Sequence, residues 1–313
     1  KVRPNIFRHL GAIFVGFSLI SVPDSSCAED THGIAMYGSP ALPPDFVSLP
    51  YANPDAPKGG RIVFGNTGGF DSLNPFVQKG TVPWQLRFWG YESLLARSWD
   101  EPFTLFGILA ETVEMSPDRD WIAFNLRPEA KWHDGKPITP EDVVWSMATL
   151  REHSPQYNRY FGDVKETRID GPHEVTFVFN QKNNRELQLI MGDLTVLPKH
   201  WWEGSDASGK KRNFTEGSLE PPLGSGPYKV GKFSAGSSIV WERESDYWAA
   251  DSFSRKGRYN FDRIRYTYFK DSNANWQAFT KGGFDDYRVE NRSQKWAEGY
   301  KFKAFDAGDV VKR

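Results

Sequence analysis

The 313-residue chain holds 39 basic and 40 acidic side chains, one cysteine, 12 Trp, 12 Tyr and 23 Phe. Balanced charge without a basic block gives nucleic acid no electrostatic footprint, so none is expected as a partner. A lone cysteine leaves no intrachain disulfide, and so many rings in a polar chain serve a core or a cleft equally well.

Lys1, Arg3 and Arg8 precede an apolar run, residues 10–22, that Pro23 ends. A membrane-spanning helix needs about 20 apolar residues, so residues 1–28 read as a cleavable secretory signal. Ser26 and Ala28 place the cut after Ala28. Cys27 leaves with the signal, because Asp24-Ser25-Ser26 is not the small apolar tripeptide of a lipoprotein. Losing three bases and one acid leaves 36 against 39, or −3. The expected compartment is the periplasm. The chain opens on Lys, so its start is expected upstream. The remaining residues can bury a sizeable core in one or two domains.

Residues 32–59 form a turn-rich lead-in, dense in Pro, Gly, Ser and Asn. Residues 61–65 are the first strand, followed by a glycine-containing loop at 66–71, and residues 84–95 are read as a helix. The turn at 116–120 separates strands at 111–115 and 121–126. Thr139, Pro140, Glu141 and Asp142 form an N-cap, a proline at the first helical position and an acidic capping box. Val143, Val144, Met147 and Leu150 then share one helical face. Val175, Phe177 and Phe179 belong to a strand, and residues 185–191 to a short helix. The polar stretch 204–220 reads as a mobile surface insertion. Strands follow at 228–233, 238–244 and 264–269. A helix capped by Ser272 or Asn273 runs through Phe279, Gly282-Gly283 ends it, and residues 284–289 form a last strand. Strands and helices without a βαβ rhythm indicate an α/β fold with mixed sheets.

Catalytic chemistry is hard to assemble. Six histidines occur, at 9, 32, 133, 153, 173 and 200, and no HExxH, GxSxG or P-loop pattern is present. His133-Asp134 is the most suggestive pair, but it sits in the tight turn Trp132-His133-Asp134-Gly135, with no second ligand pair at helical spacing. Asp285 and Asp286, adjacent in a strand, would point to opposite faces. No catalytic residue, metal or cofactor is expected. Binding residues are easier to find. In the loop at 71–84, Gln78, Lys79, Gly80 and Thr81 can offer a cation and main-chain groups to an extended ligand; an ordinary surface connection is the competing reading. Tyr287, Arg288 and Glu290 follow the last strand, and Arg288 could fork onto a carboxylate; a solvated strand end is the competing reading.

Four segments, in order, carry a resemblance: 32–60, 107–146, 224–248 and 278–290. They include an HDG-type turn before a capped helix, a Gly-x-Gly-Pro-Tyr strand with a Tyr-Trp stop, and a helix-glycine-Asp unit. The chain resembles the family 5 extracytoplasmic solute-binding proteins, the peptide receptors of ABC importers, in their YejA-like subgroup. That resemblance implies a large bilobal clamp of the type II periplasmic-binding-protein class that closes on its ligand. It implies a monomer that receives oligopeptides, cell-wall peptides or peptide antibiotics and delivers them to an inner-membrane ABC permease. It places Gln78–Thr81 and Tyr287–Glu290 on the cleft, with Tyr157 and Tyr160 close by. It divides the chain into a signal (1–28), one subdomain from 29–90 and 190–290, a second from 91–189, and the start of a crossover at 291–313. Family members are nearly twice as long, so the chain is expected to be a truncated receptor, its first lobe only. Competing readings are a receptor for another solute, a non-functional remnant, or an exported enzyme acting on wall peptides.

Overall fold

A computed structural model describes residues 30–76, 78–282 and 285–313. The expected signal and its cleavage site, with Cys27, lie outside the described residues. In chain order the elements are β1 (Gly33–Ala35), β2 (Arg61–Thr67), α1 (Gln85–Trp89), β3 (Leu95–Arg97), β4 (Thr104–Gly107), β5 (Ala110–Met115) and β6 (Trp121–Leu126). Then come α2 (Pro140–His153), α3 (Pro155–Tyr160), β7 (Val164–Ile169), β8 (Glu174–Phe179), α4 (Leu187–Gly192), α5 (Lys199–Trp202), β9 (Tyr228–Ser234), β10 (Ser238–Arg243) and β11 (Arg263–Phe269). The chain ends with α6 (Ser272–Lys281), α7 (Ser293–Glu298) and α8 (Lys303–Asp306). None of the described helices is long and apolar enough to cross a membrane.

Among the described residues the strands form three sheets, ordered β1-β4-β3, β5-β6-β8-β7 and β2-β11-β10-β9. In the second, the β5–β6 hairpin forms where the turn chemistry places it. Ser116 Oγ donates to Asp120 Oδ1 at 2.6 Å and accepts the Asp120 N–H at 2.9 Å. Ile122, Phe124, Val175 and Phe177 of this sheet meet Val143, Met147 and Leu150 of α2 in the main core. The acidic capping box is present: the Asp142 carboxylate accepts the Thr139 N–H at 3.1 Å. In the third sheet, β11 pairs β2 in parallel and β10 antiparallel, a mixed sheet as expected. Leu73, Leu86, Tyr228, Ile239 and Trp241 are buried on it. The α/β class with mixed sheets stands.

Several expectations need correction. The helix expected over 84–95 stops at Trp89, because the Gly90 carbonyl accepts the Ser225 and Gly226 N–H groups and the chain turns off into β3. The stretch 204–220 is tied down rather than loose. Asn74 Nδ2 donates to the Phe214 and Glu216 carbonyls, Arg212 forks onto Glu220 at 2.6 and 2.8 Å, and Phe214 is buried in the main core. The cap of α6 is Asp271, whose carboxylate accepts the Asn273 and Ala274 N–H groups, both at 2.9 Å. Gly282 ends that helix at φ 84°; Gly283 and Phe284 lie outside the described residues. Of the strand expected at 284–289, residues 285–289 form no strand.

Candidate ligand-binding site

The residues singled out in the sequence fall into two groups. In the first, Gln78, Lys79, Gly80 and Thr81 form an exposed loop. Its base is fixed by Asp71, whose carboxylate accepts the Thr81 N–H at 2.7 Å while its own N–H donates to the Thr81 carbonyl. Gly80 takes φ 134°, a value L side chains rarely adopt. Gln78 Nε2 donates to the His153 carbonyl at the end of α2. The loop is thereby brought close to α3, which carries Tyr157 and Tyr160. Tyr157 packs on Phe161 and Phe76, and its burial raises the phenol pKa. Tyr160 is more exposed.

The second group lies along the free edge of β2. The Gly65 N–H donates to Asp285 Oδ1 at 2.6 Å and the Val63 N–H to Asp286 Oδ2 at 2.7 Å. Both carboxylates therefore face one strand, not opposite faces as a strand geometry would require. A Cβ on Gly65 would stand 2.5 Å from Asn275 Oδ1 and 2.9 Å from Asp285 Oδ2, so both side chains would have to shift. Arg288 is held from three sides. Nη1 donates to Asp285 Oδ2 at 3.1 Å and to Asn275 Oδ1 at 3.3 Å, and Nη2 lies 3.6 Å from Glu290. Its guanidinium also stands over the Trp276 and Phe279 rings. Burial raises the Asp285 pKa despite the Gly65 N–H and Arg288. Arg288 is thus a half-spent cation, braced against its own acids, while Tyr287 is 62% exposed.

Tyr287, Arg288 and Glu290 line a cavity of about 380 Å³ with Asn66, Tyr266 and Trp84. They also border a wider space of about 1030 Å³ that reaches Trp296 and Arg313. Ligand pockets commonly hold about 300–1,000 Å³, so both are of useful size. Trp84 was not foreseen as a site residue. It is 51% exposed and stands edge-on to Tyr266, which stacks on Phe64 at 5.1 Å. The signal was available: Trp84 ends the loop that holds Gln78 and Thr81. Trp84 lines the smaller cavity with the second group, whereas Gln78, Lys79, Gly80 and Thr81 line neither space.

The His133-Asp134 pair is structural. Gly135 at φ 84° closes the turn, and Trp132 is buried with its indole N–H on Asp142 at 3.3 Å. His133 Nε2 donates to the Gly226 carbonyl at 2.7 Å, and Asp134 accepts from His200 at 2.8 Å. Burial holds the His133 pKa below its ordinary value. His133 and Asp134 thus point to different partners and share no reacting site. Among the described residues no group of three or more His, Cys, Asp or Glu is arranged to hold a metal.

A family model for bacterial extracellular solute-binding proteins, family 5 Middle, matches residues 91–310. The chain is similar to the probable peptide-binding protein YejA of Agrobacterium fabrum, 41% identical over 304 residues, 96% of this chain and 49% of that one. It is equally similar to the peptidoglycan-binding protein YepA of the same organism, 41% identical over 323 residues, 98% and 51% of the two chains. The chain spans about half the length of these curated relatives. In three dimensions it is similar to the oligopeptide-binding protein AppA of Bacillus subtilis, solved with a nonapeptide. The TM-score is 0.60 at 22% identity, over 79% of this chain and 47% of that one; at that identity the likeness carries the fold, that of a periplasmic binding protein. Family 5 proteins are extracytoplasmic solute-binding proteins rather than enzymes. The chain belongs to the bacterial extracellular solute-binding proteins, family 5.

Proposed function

We propose that these residues form one wall of the ligand cleft in a periplasmic receptor for oligopeptides or cell-wall peptides, which hands its ligand to an inner-membrane ABC permease as a monomer. The observation that carries this reading is the cavity of about 380 Å³, where exposed Trp84 and Tyr287 flank Asn66 and the braced Arg288. Aromatic faces and amides suit an extended peptide, whose backbone needs donors and acceptors and whose side chains vary. Lys79, exposed on the neighbouring loop, supplies a cation for an anionic wall peptide. Gln78, Gly80, Thr81, Tyr157 and Tyr160 form the flank of the same wall. In this reading residues 29–90 and 190–290 make one subdomain, 91–189 a second, and 291–313 begin the crossover. Residues 1–28 direct export.

Isothermal calorimetry with tri- to nonapeptides and muropeptides tests the proposal. A single wall buries only part of a ligand that a closed cleft covers by about 70–90%. Millimolar binding is therefore expected for this chain, lost on Trp84→Ala and Arg288→Ala. Absence of heat with every peptide, alongside binding of an unrelated solute, would overturn the ligand class.

A further inference from the structure

A second cleft lies at the other end of the β2-β11-β10-β9 sheet, and its reading is independent of the peptide reading. The ligand cavity lies by Gly65–Thr67, whereas Lys58, Arg243 and Arg258 gather beyond the Arg61–Arg263 pair of the same parallel ladder. The lead-in chain is strapped there: the Gly59 N–H donates to the Asn260 carbonyl at 2.8 Å, and Gly257, at φ 79°, packs so tightly that a Cβ would meet the Asn53 carbonyl at 2.5 Å. The strap fixes Lys58 against the 257–260 turn, where Nζ donates to Asn260 Oδ1 at 2.8 Å and to the Arg258 carbonyl.

The three cations are poorly matched by acid. Lys58 hydrogen-bonds only neutral acceptors, and Asp251 acts on it through space without an ion pair. Arg258 has no carboxylate partner among the described residues, and its guanidinium instead stands over Trp99 at 4.7 Å and Tyr259 at 5.1 Å. Arg243 gives Nη2 to Asp262 at 2.5 Å, but its Nε is buried without a partner. The one carboxylate in the lining, Glu244, is engaged by Lys229 at 2.8 Å; the fourth cation, Arg255, is neutralised by buried Glu92. The Lys58 pKa is lowered, by burial first and by Arg243 second, with Asp251 opposing. The cleft between them holds about 50 Å³ and is also lined by Ser245. A single water needs about 10–15 Å³, so there is room for one small oxyanion.

We propose that Lys58, Arg243 and Arg258 form a binding site for a phosphate-type oxyanion, either free inorganic phosphate or the phosphate of a lipid headgroup with net negative charge. Guanidinium and ammonium donors converging on one space are the usual means of holding such a group. Two titrations test this at constant ionic strength, one with sodium phosphate against sodium chloride followed by ³¹P NMR and melting temperature, the other with phosphatidylglycerol against phosphatidylcholine vesicles followed by co-sedimentation. For free phosphate, the expected result is a melting temperature that rises with phosphate but not chloride, and binding about tenfold weaker in Lys58→Gln and Arg258→Gln. For a headgroup, the anionic vesicles alone retain the protein and both variants release it. Lys58 is exposed, so Lys58→Gln keeps the fold even where loss of the Arg258 ring stack does not; each variant is read against its own baseline, with Lys165→Gln as a distant control. No response to either ligand, or the same response in Lys58→Gln as in the parent, overturns the proposal.

Discussion

Gly224 and Gly226 show how single residues hold this fold together. A Cβ on Gly224 would lie 2.0 Å from the Gly90 carbonyl oxygen, and one on Gly226 would lie 2.2 Å from that of Trp89. The two backbones touch, which is the physical content of the Gly-x-Gly-Pro-Tyr motif. Gly226→Ala should cost about 3 kcal/mol in urea unfolding through overpacking. Gly171→Ala, where the nearest atom is 3.6 Å away, should change stability by under about 1 kcal/mol. His133 seals the same junction from the other side. Burial holds its pKa below the ordinary 6.5, against the raising effect of the Gly226 carbonyl. The unfolded chain therefore takes up a proton at a higher pH than the folded one. The sign follows: this stability is complete above about pH 6.5 and is lost as pH falls through the folded-state pKa. His133→Gln should weaken this descent between about pH 7 and pH 5, measured as the difference in unfolding free energy from the parent protein. Nothing in the sequence marked His133 and Gly226 as partners, since 93 residues separate them.

At the scale of elements, α2 and the β5–β6 hairpin were legible because their signals are local. Thr139, Pro140 and Asp142 start the helix within four positions, and Ser116 and Asp120 close the hairpin turn within five. The short reach of α1 was not legible, because the contact that stops it comes from Ser225 and Gly226. Nor was the β2 edge, where Asp285 and Asp286 replace a strand with two carboxylates aimed at backbone N–H groups. Asp142 does more than cap. Its carboxylate accepts from Thr139 N, Lys199 N and Trp132 Nε1 and so joins α2, α5 and the HDG turn. Asp142→Ala should cost about 2–4 kcal/mol, with Asp142→Asn losing less because an amide oxygen still accepts. Asp285→Ala should cost about 3 kcal/mol, since it leaves a mostly buried Arg288 with only the longer contacts to Glu290 and Asn275 and leaves the Gly65 N–H unpaired. Calorimetric unfolding checks both.

For the whole molecule, the family was legible in ordered motifs that turn out to be scaffold. The HDG turn and the Tyr-Trp stop both meet the Gly-x-Gly-Pro-Tyr strand: His133 on Gly226, and Trp248 Nε1 on the Ser225 carbonyl. The proposed ligand wall lies elsewhere, around a cavity lined by Trp84 and by residues 285 and 287–292. Trp84 was legible only through its place at the end of the 78–84 loop, because an exposed tryptophan at a helix start carries no spacing signal of its own. The direct test of that wall is a competition photo-crosslinking experiment with a benzophenone-bearing oligopeptide, mapped by mass spectrometry on this chain. Crosslinks are expected in 64–67, at Trp84 and in 285–292, and excess unlabelled peptide should remove them. Labelling centred on the HDG turn or on 204–220, or labelling that unlabelled peptide does not compete away, would contradict the assignment of the cleft.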